Sequence, residues 1–392
     1  MIKITFLGDI MCKQEMLNAF RNENNYDFHE IFEKIKKDFS NSDLVIGNLE
    51  TPISKNTKKL TKEEYCFSSP YEFAKSVYDA GIKCVSTANN HCLDRGVEGI
   101  KETIECLDEI GIIHTGTFCN KNTEPLEINL NGIKIGLLSY TYGTNAFSNK
   151  NYLKSKEKYY VNLFQNQELS NKITRYCYYH NNIFCKIYRK INKFIFRCNS
   201  NCQVYERKEF DFNCKRKLKK DIKYLKQKNV DLIIMLSHMG GQYNNKETEN
   251  TKKLCRYLIK NGVDIIVGNH EHTVHGGVFD KINENKIISY SLGNFDGIAG
   301  VYDKPYDKMA EYSIMWNIYI NKENNNIKLK TTFSVLKTIE TENKKIQTVP
   351  VYDLIQTENN IELKNKLIND IKEVAYRFSG HKYNTIEKEY YI

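Results

Sequence analysis

The sequence predicts an α/β protein with a sheet core. Short runs of apolar, β-branched residues alternate along the chain with segments whose apolar residues recur at helical spacing, and this alternation is typical of α/β folds. The chain has 392 residues, of which 41% are hydrophobic. That length and composition are sufficient for a large buried core, so we expect one large domain, alone or with an insertion.

Seven predicted strands precede residue 300, and most of them end in a polar cluster. They cover residues 2–7, 43–47, 82–87, 133–140, 231–237, 264–268 and 287–291. Two helices are predicted at residues 71–80 and 97–110, because each segment is followed by glycine and the first is also preceded by proline. The dipeptide Asn131-Gly132 between two apolar runs predicts a β-hairpin.

The segment from about residue 149 to 213 differs in composition from the rest of the chain. It is rich in Tyr, Phe, Lys, Arg, Asn and Cys, and it interrupts the strand and helix alternation before a lysine-rich helix predicted at 215–228. We interpret this segment as an inserted aromatic and basic lid. Its composition is also compatible with contact to a membrane surface or a polymer.

The cysteines are interpreted as reduced thiols, because all 12 are spread through a long chain without a secretory signal. A structural zinc site is the alternative for one group of residues in the inserted segment. This group consists of Cys177, His180, Cys185, Cys198 and Cys202. Its spacings do not reproduce the paired C-x₂₋₄-C ligands of zinc sites, so the zinc interpretation is disfavoured.

The amino terminus, MIKITFLGDIM, reads as a first strand and not as a signal peptide. No apolar run reaches the roughly 18 residues needed to span a bilayer, so we expect a cytoplasmic protein, with peripheral membrane contact left open. The net charge of +10 comes mostly from Lys interleaved with Asn, Glu and Ile. This pattern is more typical of a solvated surface than of a nucleic-acid footprint, so no nucleic-acid partner is expected.

Five polar clusters stand directly after predicted strands, where open α/β sheets place their ligand sites. They are Gly8-Asp9, Gly47-Asn48-Leu49-Glu50, Asn89-Asn90-His91 with Asp94, His238-Met239-Gly240-Gly241, and Gly268-Asn269-His270-Glu271-His272. A divalent ion needs several converging carboxylate and imidazole donors, and strand ends bring together donors that are distant in sequence. A single histidine after a strand is usually structural, but the ordered set indicates a metal site.

In this order, the motifs GD, NLE, NNH, HxG and GxHxH resemble the calcineurin-like metallophosphoesterases. The longer segments GDIM, GNLETPIS, ANNHCLDRG, HMGGQY, GNHEHTVHG and YSLGNF are similar to the CapA family, which is linked to poly-γ-glutamate capsule synthesis. The resemblance covers about residues 1–294. It implies a four-layer α/β/β/α sandwich. We expect this domain over residues 1–340, interrupted by an insertion at about 149–213, and a helical extension at 341–392 packed on the domain.

The resemblance also has implications for the part of the chain after the last motif. Residues 311–320 and 327–336 read as two strands joined by the polar turn NKENNN, and we expect them to complete a second sheet layer of the sandwich. Residues 359–378 read as a helix with apolar residues at helical spacing. We expect this helix to pack against the domain.

Roles carried over from the resemblance assign the metal ligands. Glu50 matches an acid that bridges two ions. The other matched ligands are Asn90, His238 and His270 for one ion, and Asp9 and His272 for the other. The implied cofactor is one or two divalent ions, and manganese, iron and zinc all suit this mixture of oxygen and nitrogen donors.

His91 matches a family histidine that meets a substrate oxygen and does not bind metal. Such a histidine needs a carboxylate to hold its tautomer and favour its protonation. Asp94 is the candidate, although a helix cap before Gly96 is an alternative role for it. The candidate substrate-binding residues are Asn48, Gln242 and Asn294, and a simple turn is the alternative for the last of these.

Two departures from the family pattern affect the expected function. Met11 stands where the family has its first histidine, and a thioether does not replace imidazole for a hard divalent ion. We therefore expect weaker binding at the ion of Asp9 and His272. Gln242 stands where a charged Glu is usual. The predicted function is a metal-dependent ester hydrolase acting on a phosphoester or an anionic polymer, and the alternatives are a polymer-binding factor and a non-catalytic metal-binding scaffold.

Overall fold

The computed structural model describes residues 1–23, 25–61, 66–167, 176–177, 180–196, 212–244, 246–279, 286–297, 309–324 and 326–392. The strands are β1 (Ile2–Ile10), β2 (Leu44–Leu49), β3 (Ile53–Ser54), β4 (Ser69–Pro70), β5 (Cys84–Ser86), β6 (Ile113–Thr115), β7 (Leu126–Leu130), β8 (Ile133–Thr141), β9 (Leu232–His238), β10 (Ile265–Asn269), β11 (Val274–Phe279), β12 (Ile287–Leu292), β13 (Tyr312–Glu323), β14 (Asn326–Glu340), β15 (Ile346–Pro350) and β16 (Tyr390–Tyr391).

The helices are α1 (Gln14–Ala19), α2 (His29–Phe32), α3 (Tyr71–Asp79), α4 (Gly96–Ile110), α5 (Ala146–Asn149), α6 (Ile183–Phe196), α7 (Phe212–Gln227), α8 (Glu249–Asn261), α9 (Val351–Thr357) and α10 (Ile361–Ser379). This mixture of sheets and helices confirms the predicted α/β class. The seven early strand predictions correspond to β1, β2, β5, β8, β9, β10 and β12, and the first two helix predictions to α3 and α4. Asn131 and Gly132 have positive φ angles in the hairpin between β7 and β8, as predicted.

The first sheet has the order β15-β14-β13-β1-β2-β5-β6, with β16 paired to β14. Strands β1, β2, β5 and β6 run parallel. The two late strands form the hairpin of β13 and β14, but β13 pairs antiparallel with β1 and so extends the first sheet. The expectation that this hairpin completes a second layer is therefore wrong. Ile4 and Phe6 of β1 lie opposite Ile318 and Trp316 of β13 in the register, and all four side chains are buried.

The second sheet has the order β11-β12-β10-β9-β8-β7. Its central strands β8, β9, β10 and β12 run parallel. Apolar side chains from both sheets belong to one buried cluster, which includes Ile4 and Ile46 from the first sheet and Ile135 and Ile234 from the second. The two sheets therefore share a common core.

Helices bury the remaining apolar side chains of each sheet. Phe73 of α3 belongs to a buried cluster with Val45 of β2. In the second sheet, Leu225 of α7 belongs to a cluster with Ile233 of β9. Because successive side chains of a strand point to opposite faces, neighbouring residues such as Val45 and Ile46 join different clusters.

The carboxyl-terminal part of the chain is built into the core. The predicted helix at 359–378 corresponds to α10, and the ring of its Phe378 lies 6.0 Å from that of Trp316 and 5.0 Å from that of Phe333. Residues 341–392 contribute strands β15 and β16 as well as helices. The proposed division into a domain and a helical extension stays a prediction.

The structure describes the predicted insertion in part. Helix α6 lies in it, Cys177 and Cys185 are buried, and Cys198 and Cys202 of the zinc alternative lie outside the described residues. All ten cysteines that the structure describes are free. Within the described part of the chain, no helix has both the length and the apolar character needed to cross a membrane.

Candidate metal centre

The carboxyl ends of parallel strands from both sheets carry the candidate ligands. In the first sheet, Asp9 of β1 is paired in register with Asn48 of β2, and Glu50 follows directly. In the second sheet, His238 at the end of β9 is paired with Asn269 at the end of β10. The polar clusters predicted from separate parts of the sequence therefore meet where the two sheets bring their strand ends together.

Two histidines follow β10 on a loop with an unusual backbone. His270 and His272 have φ angles of +100° and +59°, a region that non-glycine residues adopt only when the surrounding structure enforces it. The backbone N–H of His270 donates a hydrogen bond of 3.1 Å to Asp9 Oδ2. This hydrogen bond connects the loop of the second sheet to β1 of the first sheet. Both imidazoles are buried.

Five buried side chains form two groups, each able to hold a metal ion. Donor atoms of Glu50, His238 and His270 lie within 4.8 Å of one another, and so do those of Asp9, Glu50 and His272. Glu50 Oε1 is 3.5 Å from His238 Nε2 and 4.0 Å from His272 Nε2. Because Glu50 belongs to both groups, the arrangement suits two neighbouring cations that share one carboxylate.

The unpartnered polar atoms of the site fit a metal. Among the described residues, both carboxylate oxygens of Glu50 and both ring nitrogens of His270 are buried without a hydrogen-bond partner. Buried polar atoms in native proteins are almost always hydrogen-bonded, and an unmet group is explained by an ion or water. Carboxylate and imidazole donors together suit zinc, iron or manganese. These residues therefore fit a divalent metal ion.

Burial and mutual charge set the protonation of the site. Burial raises the pKa of Glu50 to about 8, and the negative charge of Asp9 adds to this effect. Burial lowers the pKa of His238 to about 4, and burial together with the neighbouring imidazoles lowers the pKa of His270 well below its usual value. Both histidines are therefore neutral at pH 7, which is the state that binds metals.

Asp9 and His272 form the charged pair of the site. Burial opposes ionisation of both groups. The hydrogen bond to His272 and the charges of His238 and His272 nevertheless lower the pKa of Asp9, and the charge of Glu50 together with the hydrogen bond and charge of Asp9 raises the pKa of His272. Their closest atoms, Asp9 Oδ2 and His272 Nδ1, are 3.4 Å apart. Asp9 is therefore ionised and ready to bind a cation.

Side-chain amides surround the donor groups. Asn48 Nδ2 donates a 2.7 Å hydrogen bond to Asp9 Oδ1 and lies 3.2 Å from His238 Nδ1. Asn90 Oδ1 lies 2.7 Å from His238 Nε2, so the predicted ligand Asn90 contacts the first donor group. These contacts orient the side chains of Asp9 and His238. They also place Asn90 next to the nitrogen of His238 that would bind a metal ion.

The other two candidate substrate-binding residues also contact a histidine of the site. Asn294 Oδ1 is 2.8 Å from His272 Nδ1, and Gln242 Nε2 is 3.2 Å from His272 Nε2. Asn294 follows β12 and forms a bridge with Asp9. The predicted metal ligands and substrate contacts therefore lie in one contiguous cluster, and their roles stay predictions.

His91 and Asp94 form a buried pair beside the donor groups. His91 Nδ1 lies 2.7 Å from Asp94 Oδ2, which also accepts a 2.7 Å hydrogen bond from the backbone N–H of Phe67. The ring of Phe67 stacks on His91 with centroids 4.1 Å apart, and Asn149 Nδ2 donates to Asp94 Oδ1 at 3.0 Å. Helix α4 has no side-chain cap hydrogen bond, so the alternative role of Asp94 as a helix cap is wrong.

The loop after β8 supplies site residues that were not predicted. The ring of Tyr142 lies 4.6 Å from that of His270, and Asn145 Nδ2 lies 3.4 Å from His91 Nε2. Asn145 has a φ of +49°, a left-handed conformation that Asn tolerates. The polar residues of this loop follow directly after a strand, as the five predicted clusters do. The same criterion applied to β8 predicts that this loop belongs to the site.

Met11 and Asp296 form a second unpredicted contact at the end of β1. Met11 is buried, and its backbone N–H donates a 2.7 Å hydrogen bond to Asp296 Oδ1. Burial raises the pKa of Asp296 well above its usual value. In sequence, Asp296 stands two residues after Asn294 in the motif YSLGNFDG, so the late motif contributes to the site at two positions.

Two buried donor groups that share Glu50 at the ends of parallel strands define the class of this molecule, an α/β protein equipped to bind divalent metal. Residues 3–297 match the family described as bacterial capsule synthesis protein PGA_cap. The chain therefore belongs to this family, and the predicted CapA relationship is confirmed. The family belongs to the metallophosphoesterase-like superfamily.

Curated relatives agree with this assignment. The chain is 26% identical over 322 residues to the capsule biosynthesis protein CapA of Bacillus anthracis, covering 80% of this chain and 63% of the relative. It is 24% identical over 321 residues to the PGA biosynthesis protein CapA of Bacillus subtilis (strain 168), covering 80% of this chain and 67% of the relative. The chain thus spans less than two thirds of the length of the Bacillus anthracis protein.

Proposed function

We propose that this chain is a metal-dependent hydrolase of the metallophosphoesterase type, with its two sheets and outer helices arranged as a four-layer α/β/β/α sandwich. The observation that carries the proposal is the pair of buried donor groups that share Glu50. A buried carboxylate and a buried imidazole without hydrogen-bond partners are costly for folding unless a ligand satisfies them. Their burial without hydrogen-bond partners among the described residues, at the junction of two sheets, supports metal binding.

The proposed ligands follow the two donor groups. Glu50 would be shared by two cations, because it belongs to both groups. The remaining ligands are Asn90, His238 and His270 for one cation, and Asp9 and His272 for the other. Manganese, iron and zinc are the candidate metals. When bound, such cations polarise a substrate oxygen and activate a water molecule as nucleophile.

The proposed role of His91 is to hold and deliver a proton at Nε2. Asp94 accepts from Nδ1, so it fixes the tautomer and stabilises the positively charged ring. Asp94 is itself oriented by the backbone N–H of Phe67 and by Asn149, and these contacts keep the pair rigid. Proton delivery to the leaving-group oxygen from such a position is general acid catalysis.

An anionic substrate is the second part of the proposal. The relatives are named for the biosynthesis of capsule and of PGA, and the chain carries a net charge of +10. We propose that the substrate is a phosphoester or an anionic polymer of the poly-γ-glutamate kind. Positive charge around a cleft raises the local concentration of such substrates.

A metal-binding scaffold without catalysis is the second candidate, and one observation favours it. The buried Met11 stands near the donor group of Asp9 and His272 where the family pattern has a histidine, so that group has three strong donors instead of four. A weakly held second cation diminishes two-metal catalysis but leaves the first donor group, and its metal binding, unaffected.

Elemental analysis of the purified protein, followed by hydrolysis of an aryl phosphate with added manganese, tests the proposal. We expect bound metal and measurable turnover, and we expect Glu50→Gln to lose both because the shared donor is removed. Metal in the parent protein without turnover on an aryl phosphate or poly-γ-glutamate supports the scaffold. A parent protein that binds no divalent metal refutes both candidates.

A further inference from the structure

Helix α6 exposes an apolar stripe. Ile183, Phe184, Ile187 and Ile191 are respectively 77%, 57%, 54% and 50% exposed. Residues 183, 187 and 191 follow one another at intervals of four, so they share one face of the helix, and Phe184 flanks it. Single exposed apolar side chains are ordinary on protein surfaces, but a contiguous row of large ones marks an interaction site.

One border of the apolar stripe is basic. Lys186 and Lys190 are exposed, and at about 100° per residue they lie beside Ile183, on the side of the stripe away from Phe184. The surrounding sequence has the same bias. Residues 169–205 contain seven Lys or Arg residues and no Asp or Glu. A helix with this distribution has the character of one that lies in a membrane interface.

Another side of α6 contacts Cys177 of the same inserted segment. Cys185 is buried, and the Cys177 and Cys185 thiols contact each other. Arg189 Nη1 donates a 3.2 Å hydrogen bond to the backbone oxygen of Cys177. Residues 185 and 189 are one helical turn apart, so these contacts use a side of α6 different from the apolar stripe. The stripe is therefore left facing outward.

We infer that α6 docks this protein onto the surface of an anionic lipid membrane, with the stripe of Ile183, Phe184, Ile187 and Ile191 in the interface. The apolar side chains enter the boundary between headgroups and acyl chains, and the basic residues contact anionic headgroups. The helix lies in the plane of the membrane and does not cross it, in agreement with the composition of the described helices.

Charge distinguishes a membrane from a second copy of the chain as the partner. Two copies of α6 in a two-fold contact place like-charged residues such as Lys186 and Lys190 near each other, and like charges oppose association. Anionic headgroups attract the same residues. A soluble polyanion also satisfies the charges, but it leaves the apolar stripe in water. An anionic membrane is the partner that both accepts the apolar side chains and attracts the basic residues.

Co-sedimentation of the full chain with lipid vesicles tests the inference and requires neither metal nor turnover. We expect the protein to bind vesicles that contain phosphatidylglycerol, with binding that weakens as salt increases, and to bind pure phosphatidylcholine weakly. Ile187→Glu and Ile191→Glu should each reduce binding roughly tenfold, because a charge enters the apolar interface. Lys186→Glu with Lys190→Glu should reduce binding to the anionic vesicles alone.

Ile361→Glu is the matched control, because Ile361 is also 77% exposed but begins α10. We expect it to bind vesicles as the parent does, and thermal melting should be unchanged in all variants. A parent protein that stays in the supernatant with anionic vesicles overturns the inference. Equal loss in Ile361→Glu and Ile187→Glu overturns it as well, and so does a dimer in solution that Ile187→Glu dissociates while the parent ignores vesicles.

Discussion

Glu50 Oε1 lies 3.5 Å from His238 Nε2, although Glu50 follows a strand of the first sheet and His238 ends a strand of the second. Both side chains are buried, and burial raises the pKa of Glu50 to about 8 and lowers that of His238 to about 4. The metal-free pair is thus held mostly uncharged at neutral pH. A divalent cation changes the state of the carboxyl group alone, because it binds the ionised carboxylate and the imidazole that is already neutral.

His238→Ala and His270→Ala should each lower the metal content of the purified protein and its hydrolytic activity. Both belong to the donor group completed by Glu50, and an alanine removes a ligand that the other residues do not replace. Elemental analysis gives the measurement. His114→Ala is the control, because His114 contacts Asp108 and lies outside both donor groups. A wild-type metal load in both variants means that the ligand assignment is wrong.

Met11→His should raise metal occupancy at the group of Asp9 and His272. The new imidazole adds the donor type that the family pattern places there, and the buried Met11 follows closely after Asp9 on the chain. Metal stoichiometry and affinity, measured by calorimetry with manganese, report the change. Met11→Leu, which keeps the apolar character, should behave as the parent. No gain in Met11→His with intact melting argues that other residues already complete this group.

His91→Gln should lower turnover by about 10²–10⁴-fold, the usual contribution of a positioned proton donor, and leave metal content unchanged. His91 belongs to neither donor group, so its loss removes the proton and not the cation. The pair of His114, which is partly buried, and the exposed Asp108, with atoms 3.0 Å apart, supplies the control variant His114→Gln. Loss of metal in His91→Gln makes His91 a ligand, and full activity removes it from the mechanism.

Glu50 should contribute stability to the metal-free protein that is lost as pH rises from about 4.5 to about 8, whereas His238 and His270, whose pKa values are lowered by burial, contribute in the opposite direction. The pKa of Glu50 is raised by burial from 4.5 to about 8, so in this range the folded state keeps a proton that the unfolded state releases, and this contribution to the free energy of unfolding falls with pH. Denaturant unfolding of chelator-treated protein measures this. In Glu50→Gln the group does not titrate, so this part of the pH dependence should disappear.

Metal affinity should rise with pH, whereas the stability that Glu50 contributes falls. Because a cation binds the ionised form of Glu50, binding displaces its proton, and affinity should rise with pH until about 8, where Glu50 ionises without metal. Calorimetry in buffers with different ionisation enthalpies counts the released proton. Affinity that stays flat between pH 6 and 8 contradicts the protonated state assigned to this carboxyl group.

Phe378→Ala should lower the free energy of unfolding by about 3–5 kcal/mol, as is typical when a buried Phe is truncated. Its ring contacts those of Trp316 and Phe333 in the core shared by the sheets. Tyr376→Ala on the same helix is the control, because Tyr376 is 46% exposed, and its effect should stay within about 0.5 kcal/mol. Equal effects of the two variants mean that α10 does not carry core packing.

The sequence determined the α/β class, the positions of the main strands and helices, and the order of the polar clusters. These are local properties, because side-chain periodicity and turn residues depend on neighbours in the chain. The same local pattern placed Asp9, Glu50 and His238 in polar clusters at the ends of apolar runs, and the family resemblance assigned them as candidate ligands. The resemblance also separated His91 with Asp94 from the ligands.

The tertiary structure alone decided which distant residues meet. The hairpin of β13 and β14 joined the first sheet through its pairing with β1, and the loop after β8 brought Tyr142 and Asn145 to the site. The raised pKa of Glu50 and the outward stripe of α6 likewise depend on what surrounds a side chain. Burial, desolvation and contacts between the sheets depend on residues that are distant in sequence. A local sequence pattern therefore does not predict them.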